Sequence, residues 1–280
     1  MPELPEVETI RRDLDKEIVG KRIKAVDVSG LRSIRRHKSK KAFTNLLEGR
    51  KVSSITRKGK YLLLKLDDGD ILVVHLGMSG QLLRAKGPKD PLIKHTHVVI
   101  TFTQGGQLRY VDPRTFGELF VTTPDALTAE VPELAEIGFD PVDEPLSVNE
   151  FARRLLSRPD VKLKQLLMDQ AFIAGIGNIY SDEVLWHAGL RWDRTPRSLS
   201  NMEIRRLFRA IVEVLHDAIK HRGSTLSDQQ YVDVAGRAGD FQTLHEVYDR
   251  AGQACRRCRA TITKEKVASR TTFFCPSCQV

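Results

Sequence analysis

The sequence predicts an α+β chain with a strand-rich first half, a helical second half and a small metal-held module at its end. Three observations lead there. Short apolar, β-branched segments recur at close spacing as far as Val121. After a proline-rich stretch the hydrophobic period changes to that of helices. All 4 cysteines fall near the end, as Cys255-x2-Cys258 and Cys275-x2-Cys278.

Taken in order, Val7, Ile10, Leu14 and Ile18 make a helical stripe, with Pro5 tolerable in its first turn. Strands are expected at Ile23–Val28, Val52–Ile55, Tyr61–Leu66, Ile71–His75, Val98–Phe102, Leu108–Val111 and Leu119–Val121. Asp67-Asp68-Gly69 and Gly105-Gly106 supply turns between them, and so many short strands indicate a sandwich or a barrel. Pro124, Pro132, Pro141 and Pro145 lie among acidic residues and mark a domain boundary. Ser147-x-x-Glu150 reads as a capping box opening a helix through Phe151 and Leu155. Another helix follows Gly175-Ile176-Gly177-Asn178 and stops at Gly189. Ser200-x-x-Glu203 opens a third, with Ile204, Leu207, Phe208, Ile211, Leu215 and Ile219 on one face and Gly223 at its end. Residues 224–243 are polar and read as an exposed loop.

With 41% hydrophobic and 29% charged residues, the 280-residue chain has the composition of a globular protein. No apolar run reaches the roughly 20 residues that cross a bilayer. The acidic start MPELPEVET lacks the apolar core of a secretion signal, so a cytoplasmic protein without membrane contact is expected. The formal charge of +9 favours a polyanionic partner. Two basic runs carry much of it: Arg32, Arg35, Arg36, His37, Lys38, Lys40 and Lys41, and Arg256, Arg257, Arg259, Lys264, Lys266 and Arg270. Either run alone is equally consistent with a solvated surface.

Five segments carry chemistry. Cys255, Cys258, Cys275 and Cys278 have the spacing of a four-thiolate zinc site, which leaves no open coordination position and is therefore structural. The residues leading into the second pair, Arg270 to Phe273, suggest a hairpin with a basic tip. At the other end, a methionine followed by a small residue is normally removed, so the mature chain is expected to begin at Pro2. Its secondary amine would be nucleophilic near neutral pH, and as an iminium an electron sink; Glu3 beside it suits proton transfer. The plainer reading of Glu3, Glu6 and Glu8 is that acidic residues favour the dipole of a helix start. Arg57-Lys58-Gly59-Lys60-Tyr61 is a basic turn into a strand, a weak signal by itself. The segments His75 to Gly80 and Asp112 to Gly117 place Met78, Arg114 and Phe116 at strand ends. There they suit either wedging into a base stack or core packing. Gly175-Ile176-Gly177-Asn178 ahead of a helix suits a phosphate.

Together these segments resemble the formamidopyrimidine-DNA glycosylase family, bacterial enzymes that repair oxidised guanine and cleave at abasic sites. The resemblance runs in order through MPELPEVET, RKGKYL, HLGMSG, KHTHV, DPRTFG, MDQAFIAGIGNIYSDE, HEVYDRAGQACRRC and SRTTFFCPSC. It implies an N-terminal β-sandwich with flanking helices, a helix-two-turn-helix domain and a zinc finger, with damaged duplex DNA bound in the cleft between two lobes. The boundaries expected are 1–130, a linker at 131–146, 147–223, a lesion-recognition lid at 224–243 that includes Ser224, Thr225 and Tyr231, and the zinc finger at 244–280. It implies that Pro2 attacks C1′ of the damaged nucleotide, with Glu3 as acid/base, Lys58 as proton donor in β-elimination and Arg270 acting in δ-elimination. Met78, Arg114 and Phe116 match the trio that fills the hole left by the flipped base. His95, Lys164 and Asn178 match residues that grip phosphates, with Arg158 a looser counterpart. Thr115 stands where relatives often carry a second basic residue. A monomer associated with the bacterial nucleoid is expected. The alternatives are a sister family acting on oxidised pyrimidines, from which Leu4 and the trio set this chain apart, and a zinc-ribbon DNA binder without catalysis.

Overall fold

In the computed structural model, which describes residues 1–144, 146–267 and 269–280, the apolar stripe of the N-terminal segment is the buried face of helix α1 (Leu4–Ile18). The chain divides into two units: Met1–Ala135 with His221–Asp240, and Glu136–Lys220 with Phe241–Val280. Pro145, one of the prolines read in the boundary segment, lies outside the described residues.

In the first unit α1 is followed by β1 (Ile23–Val28), α2 (Lys40–Leu47), β2 (Val52–Lys58), β3 (Tyr61–Leu66), β4 (Ile71–His75), β5 (Gln81–Ala85), β6 (Thr96–Phe102), β7 (Gln107–Val111), β8 (Glu118–Thr122), α3 (Pro124–Glu130) and α4 (Pro132–Ala135). The strands form two antiparallel four-stranded sheets, ordered β1-β6-β7-β5 and β2-β3-β4-β8. Alternate residues of several strands, such as Leu62 and Leu64, Leu72 and Val74, Val98 and Ile100, and Leu119 and Val121, enter one core shared with Val7, Ile10, Leu14 and Ile18. Two separate sheets around a common core make a sandwich, which decides between the sandwich and the barrel.

Sequence periodicity missed β5 and α2. Strand β5 shows no alternation, with Leu82 and Leu83 both buried between exposed or half-buried neighbours. Helix α2 hides in the first basic run: Ser39 caps it by accepting from the N–H of Ala42, and Phe43 and Leu47 bury its apolar side. Part of that run is structural, because Arg35 and Arg36 reach Glu118 at 3.0 and 2.7 Å and Arg36 lies over the Phe120 ring.

The second unit contains α5 (Val148–Leu156), α6 (Leu163–Met168), α7 (Asn178–Ala188), α8 (Asn201–Lys220), β9 (Thr263–Val267) and β10 (Arg270–Phe274). Ser147 caps α5 by accepting from the N–H of Glu150. Ser200 and Glu203 bond reciprocally ahead of α8, so that capping box forms as the sequence indicates, whereas at α5 only the Ser147 half forms and the Glu150 carboxylate turns instead to Arg153 and Arg154. Helix α7 is buried at every position except Asn178 and His187, and it packs on α6, α8 and β10.

The polar segment after α8 departs from the exposed loop expected. Apart from the 3-10 turn that starts at Phe241 it has no regular structure, yet Ser224, Thr225, Tyr231, Asp233 and Val234 are buried, and Tyr231 and Val234 join the sandwich core. Arg222 clamps it by bridging Asp13 of α1 and Asp233. The backbone N–H of Arg84 in β5 donates to the carbonyl of Val234 at 2.8 Å. Its exposed residues are Ser227 to Gln229, Ala235 to Ala238, Asp240 and Thr243.

One ion-pair cluster fixes α1 against the sheet that carries Lys58. The buried Glu8 carboxylate accepts from Arg11 at 2.9 Å, Arg12 at 2.7 Å and Arg57 at 3.2 Å, and Arg57 also donates to the carbonyl of Gly59 in the β2–β3 turn. Burial alone would raise the Glu8 pKa; hydrogen bonds from Arg11 and Arg12, and the charges of Arg11 and Arg57, hold it from 4.5 down to about 2. A carboxyl depressed on folding stabilises the folded state above its unfolded pKa and loses that contribution as pH falls through the folded one. Urea-unfolding midpoints of the wild type should therefore drop between pH 4.5 and about 2. Those of Glu8→Gln should drop less over that window; parallel curves would count against the cluster.

Candidate DNA-repair site

The head of α1 is built from carboxylates rather than surface charge. Pro2 and Glu3 are buried beside an exposed Met1. Glu3 and Glu6 form a reciprocal capping box, in which the N–H of Glu3 donates to Glu6 Oε2 at 2.8 Å. The other oxygen of Glu6 accepts from the N–H of Ser224 at 2.7 Å, tying the root of the 224–243 segment to the chain start. Gly223 is required there: a Cβ would lie 2.5 Å from Glu6 Oε1, and its φ is +76°. The acidic residues read as favouring a helix dipole thus also make specific bonds. Lys58 ends β2 with its side chain exposed, held near α1 through its neighbour Arg57.

Two strand-end loops present the trio. Met78, Arg114 and Phe116 are all exposed, Met78 at 37% and Phe116 at 48%, and the Arg114 guanidinium lies 4.9 Å from the Phe116 ring centre. This answers the core-packing alternative: neither apolar side chain has a core to fill. Beneath them, fully buried Asp112 accepts from Ser79 Oγ at 2.6 Å, Tyr110 Oη at 3.0 Å and the N–H of Gly117 at 2.9 Å. Ser79 in turn accepts from the N–H of Arg114 at 3.2 Å. The loop bases touch so closely that a Cβ on Gly77 would fall 2.5 Å from the nitrogen of Gly117. The N–H of Asp112 also donates to the carbonyl of His95, whose exposed side chain stands on a left-handed backbone with φ 66°. Thr115 shares that conformation, with φ 54°.

In the second unit, Asn178 opens α7 and donates through Nδ2 to the carbonyl of Thr271 at 3.1 Å. Its Oδ1 is buried and finds no donor among the described residues. Arg158 forms an ion pair with Asp169 and stays partly exposed. Lys164, expected to grip a phosphate, is 3% exposed, and its Nζ donates to Asp182 Oδ1 at 2.6 Å and to the carbonyl of Asn178 at 3.1 Å. Arg270 is exposed at the start of β10, beside the end of the hairpin.

The ligand atoms of Cys255, Cys258, Cys275 and Cys278 all lie within 4.8 Å of one another. Zn–S bonds of about 2.3 Å give a tetrahedral S···S edge of about 3.8 Å. Cys255 to Cys278 measures 3.7 Å and Cys258 to Cys275 3.3 Å, so the donor set fits one tetrahedral zinc. The indole Nε1–H of Trp186 donates to Cys255 Sγ at 3.3 Å, and Arg257 lies against Cys278 Sγ and over the Trp186 ring. Those donors and that charge suit a dianionic tetrathiolate centre.

Sequence reasoning missed the groups that hold these side chains in place: Arg57, Asp112, Asp182 and Glu183. Each is buried and polar, and burial is invisible in a sequence where acidic and basic residues are common.

Comparison with known proteins yields a family model at each part of the chain. The formamidopyrimidine-DNA glycosylase N-terminal domain matches residues 1–119, the H2TH domain of the same enzymes residues 137–230, and the zinc finger found in FPG and IleRS residues 252–280. The formamidopyrimidine-DNA glycosylase of Pelotomaculum thermopropionicum is 41% identical over 279 residues, covering 100% of this chain and 99% of that protein. That of Heliobacterium modesticaldum is 44% identical over the full length of both. Among solved structures, Lactococcus lactis Fpg in complex with abasic-site DNA superposes with a TM-score of 0.89 at 36% identity, covering 99% of each chain. Thermus thermophilus MutM (FPG) gives 0.87 at 40% identity, over 99% of this chain and 98% of that one.

Stripping the zinc with a chelator should alter Trp186 emission, measured in Trp192→Phe protein, as the indole loses its thiolate partner. Metal analysis should return one zinc per chain. An unchanged spectrum on complete metal release would contradict the contact.

Proposed function

Because the chain belongs to the formamidopyrimidine-DNA glycosylase family, we propose that it excises oxidised purines, 8-oxoguanine and formamidopyrimidines, from duplex DNA as a monomer and then cleaves the strand. Once Met1 is removed, the nitrogen of Pro2 is a secondary amine able to attack C1′ of the damaged nucleotide and displace the base. Ring opening leaves an iminium between Pro2 and C1′. Its positive nitrogen draws electrons from the sugar, which acidifies the C2′ proton, so that β-elimination expels the 3′-phosphate. Further δ-elimination expels the 5′-phosphate and leaves a one-nucleotide gap. Glu3 moves protons at the attacked sugar, Lys58 supplies one in β-elimination, and Arg270 serves δ-elimination.

The observation that carries this reading is the exposed trio on locked loops. Extruding a base forfeits its stacking, a few kcal/mol. An exposed Met78 and a cation-capped Phe116 offer replacement surface, and Arg114 beside them would read the base left behind. His95, Asn178 and Arg158 would grip the backbone around the kink, with Lys164 acting through the carbonyl of Asn178. The partly exposed segment 224–243, rooted on Glu6, would cover the everted base. Zinc holds the finger that carries Arg270 and takes no part in the chemistry.

Borohydride added during reaction with an 8-oxoguanine:cytosine duplex should trap a 1:1 adduct, with the extra mass on the N-terminal peptide. Pro2→Gly should cut at a small fraction of the wild-type rate. Cleavage at an undiminished rate would remove Pro2 from the mechanism, and salt-sensitive binding without any cleavage would favour the non-catalytic alternative. Faster excision of thymine glycol than of 8-oxoguanine would favour the pyrimidine-directed one.

A further inference from the structure

Strand β10 belongs to a two-stranded sheet, a unit of marginal stability by itself. Its free edge exposes the backbone groups of Thr271 and Phe273, residues that lie on the same side of the strand. Helix α7 meets that edge with two side chains one turn apart. Asn178 Nδ2 donates to the carbonyl of Thr271 at 3.1 Å, and Asp182 Oδ2 accepts from the N–H of Phe273 at 3.0 Å. The spacings agree, since four helical residues rise about 6 Å and two strand residues about 6.6 Å. Lys164 joins the two rungs from behind, donating to Asp182 Oδ1 and to the carbonyl of Asn178.

From this geometry, and resting on the function proposed above, we infer that Asp182 is a positioning residue for strand cleavage: with Asn178 it forms a substitute strand edge that fixes β10, and so sets where Arg270 stands relative to the start of α7. Asp182 is 1% exposed, and its bond to the N–H of Phe273 passes its influence to β10. Its carboxylate does two separable things. It neutralises the buried Lys164 ammonium, and it anchors one amide of the strand that begins with Arg270. Removing Asp182 alone would strand a buried charge and confuse the two.

Two double variants separate them. Lys164→Met with Asp182→Asn removes both charges and keeps an oxygen for the Phe273 amide; Lys164→Met with Asp182→Ala removes both charges and that oxygen. With zinc retained in both, the fully eliminated δ-product on a preformed abasic-site duplex should form a share about threefold larger in the Asn pair than in the Ala pair. The Phe273 amide should exchange about tenfold faster in the Ala pair, in metal-loaded protein without DNA. Equal shares and equal exchange overturn the inference. If either double variant loses zinc, Asp182→Glu in the otherwise native protein replaces the comparison. It keeps the charge for Lys164 but displaces the acceptor, so the δ-share must fall, and an unchanged share overturns the inference. The exchange measurement needs no activity. A wild type that never cleaves would therefore refute the proposed function and with it the cleavage role, while the exchange comparison would still decide whether Asp182 fixes β10.

Discussion

Buried carboxylates that accept backbone N–H groups hold this molecule together where regular structure runs out. The side chains of interest sit on loops, strand ends and a short hairpin, where backbone donors lack the partners that a helix or sheet would give them. A buried donor without a partner is costly, and a charged acceptor makes a stronger bond than a neutral one. Glu6 answers Glu3 and Ser224, Asp112 answers Gly117 and Arg114, and Asp182 answers Phe273. Glu183 answers Glu246, Val247 and Tyr248 at once, while complete burial pushes its pKa up to about 7. Glu183 thereby fastens the segment ahead of the first cysteine pair to the most buried helix of its unit.

This division of labour explains which parts of the protein were legible beforehand. Hydrophobic period gave α1 and most strands to within a few residues, because Val7, Ile10, Leu14 and Ile18, or Leu62 and Leu64, face a core whatever the distant sequence does. Ser147 and Ser200 marked their helices because a cap is a local bond. The cysteines were legible because four thiolates at fixed spacing have few other uses. The partners of the carboxylates were not, since Glu6 meets Ser224 and Asp182 meets Phe273 only after folding. For the same reason the segment after α8 was read as exposed, although Tyr231 and Val234 complete the sandwich core.

Charge tells a similar story. A net +9 indicates a polyanionic partner, yet Arg35, Arg36 and Arg57 spend their charge on Glu118 and Glu8 inside the first unit. Lys58, Arg114 and Arg270 remain exposed. Counting basic residues in a run therefore overstates the surface offered to phosphate, and the isolated cations at strand ends carry more of the functional reading.

The paired glycines beneath the trio have an evolutionary corollary. Because Gly77 and Gly117 allow two loop bases to touch while Asp112 and Ser79 bolt them together, the side chains above ride on a platform whose shape is independent of their identity. Side-chain changes at positions 78, 114 and 116 would therefore leave the glycine contacts and the Asp112–Ser79 bolt in place. Evolution can thus retune what those three tips meet without rebuilding the loops that hold them.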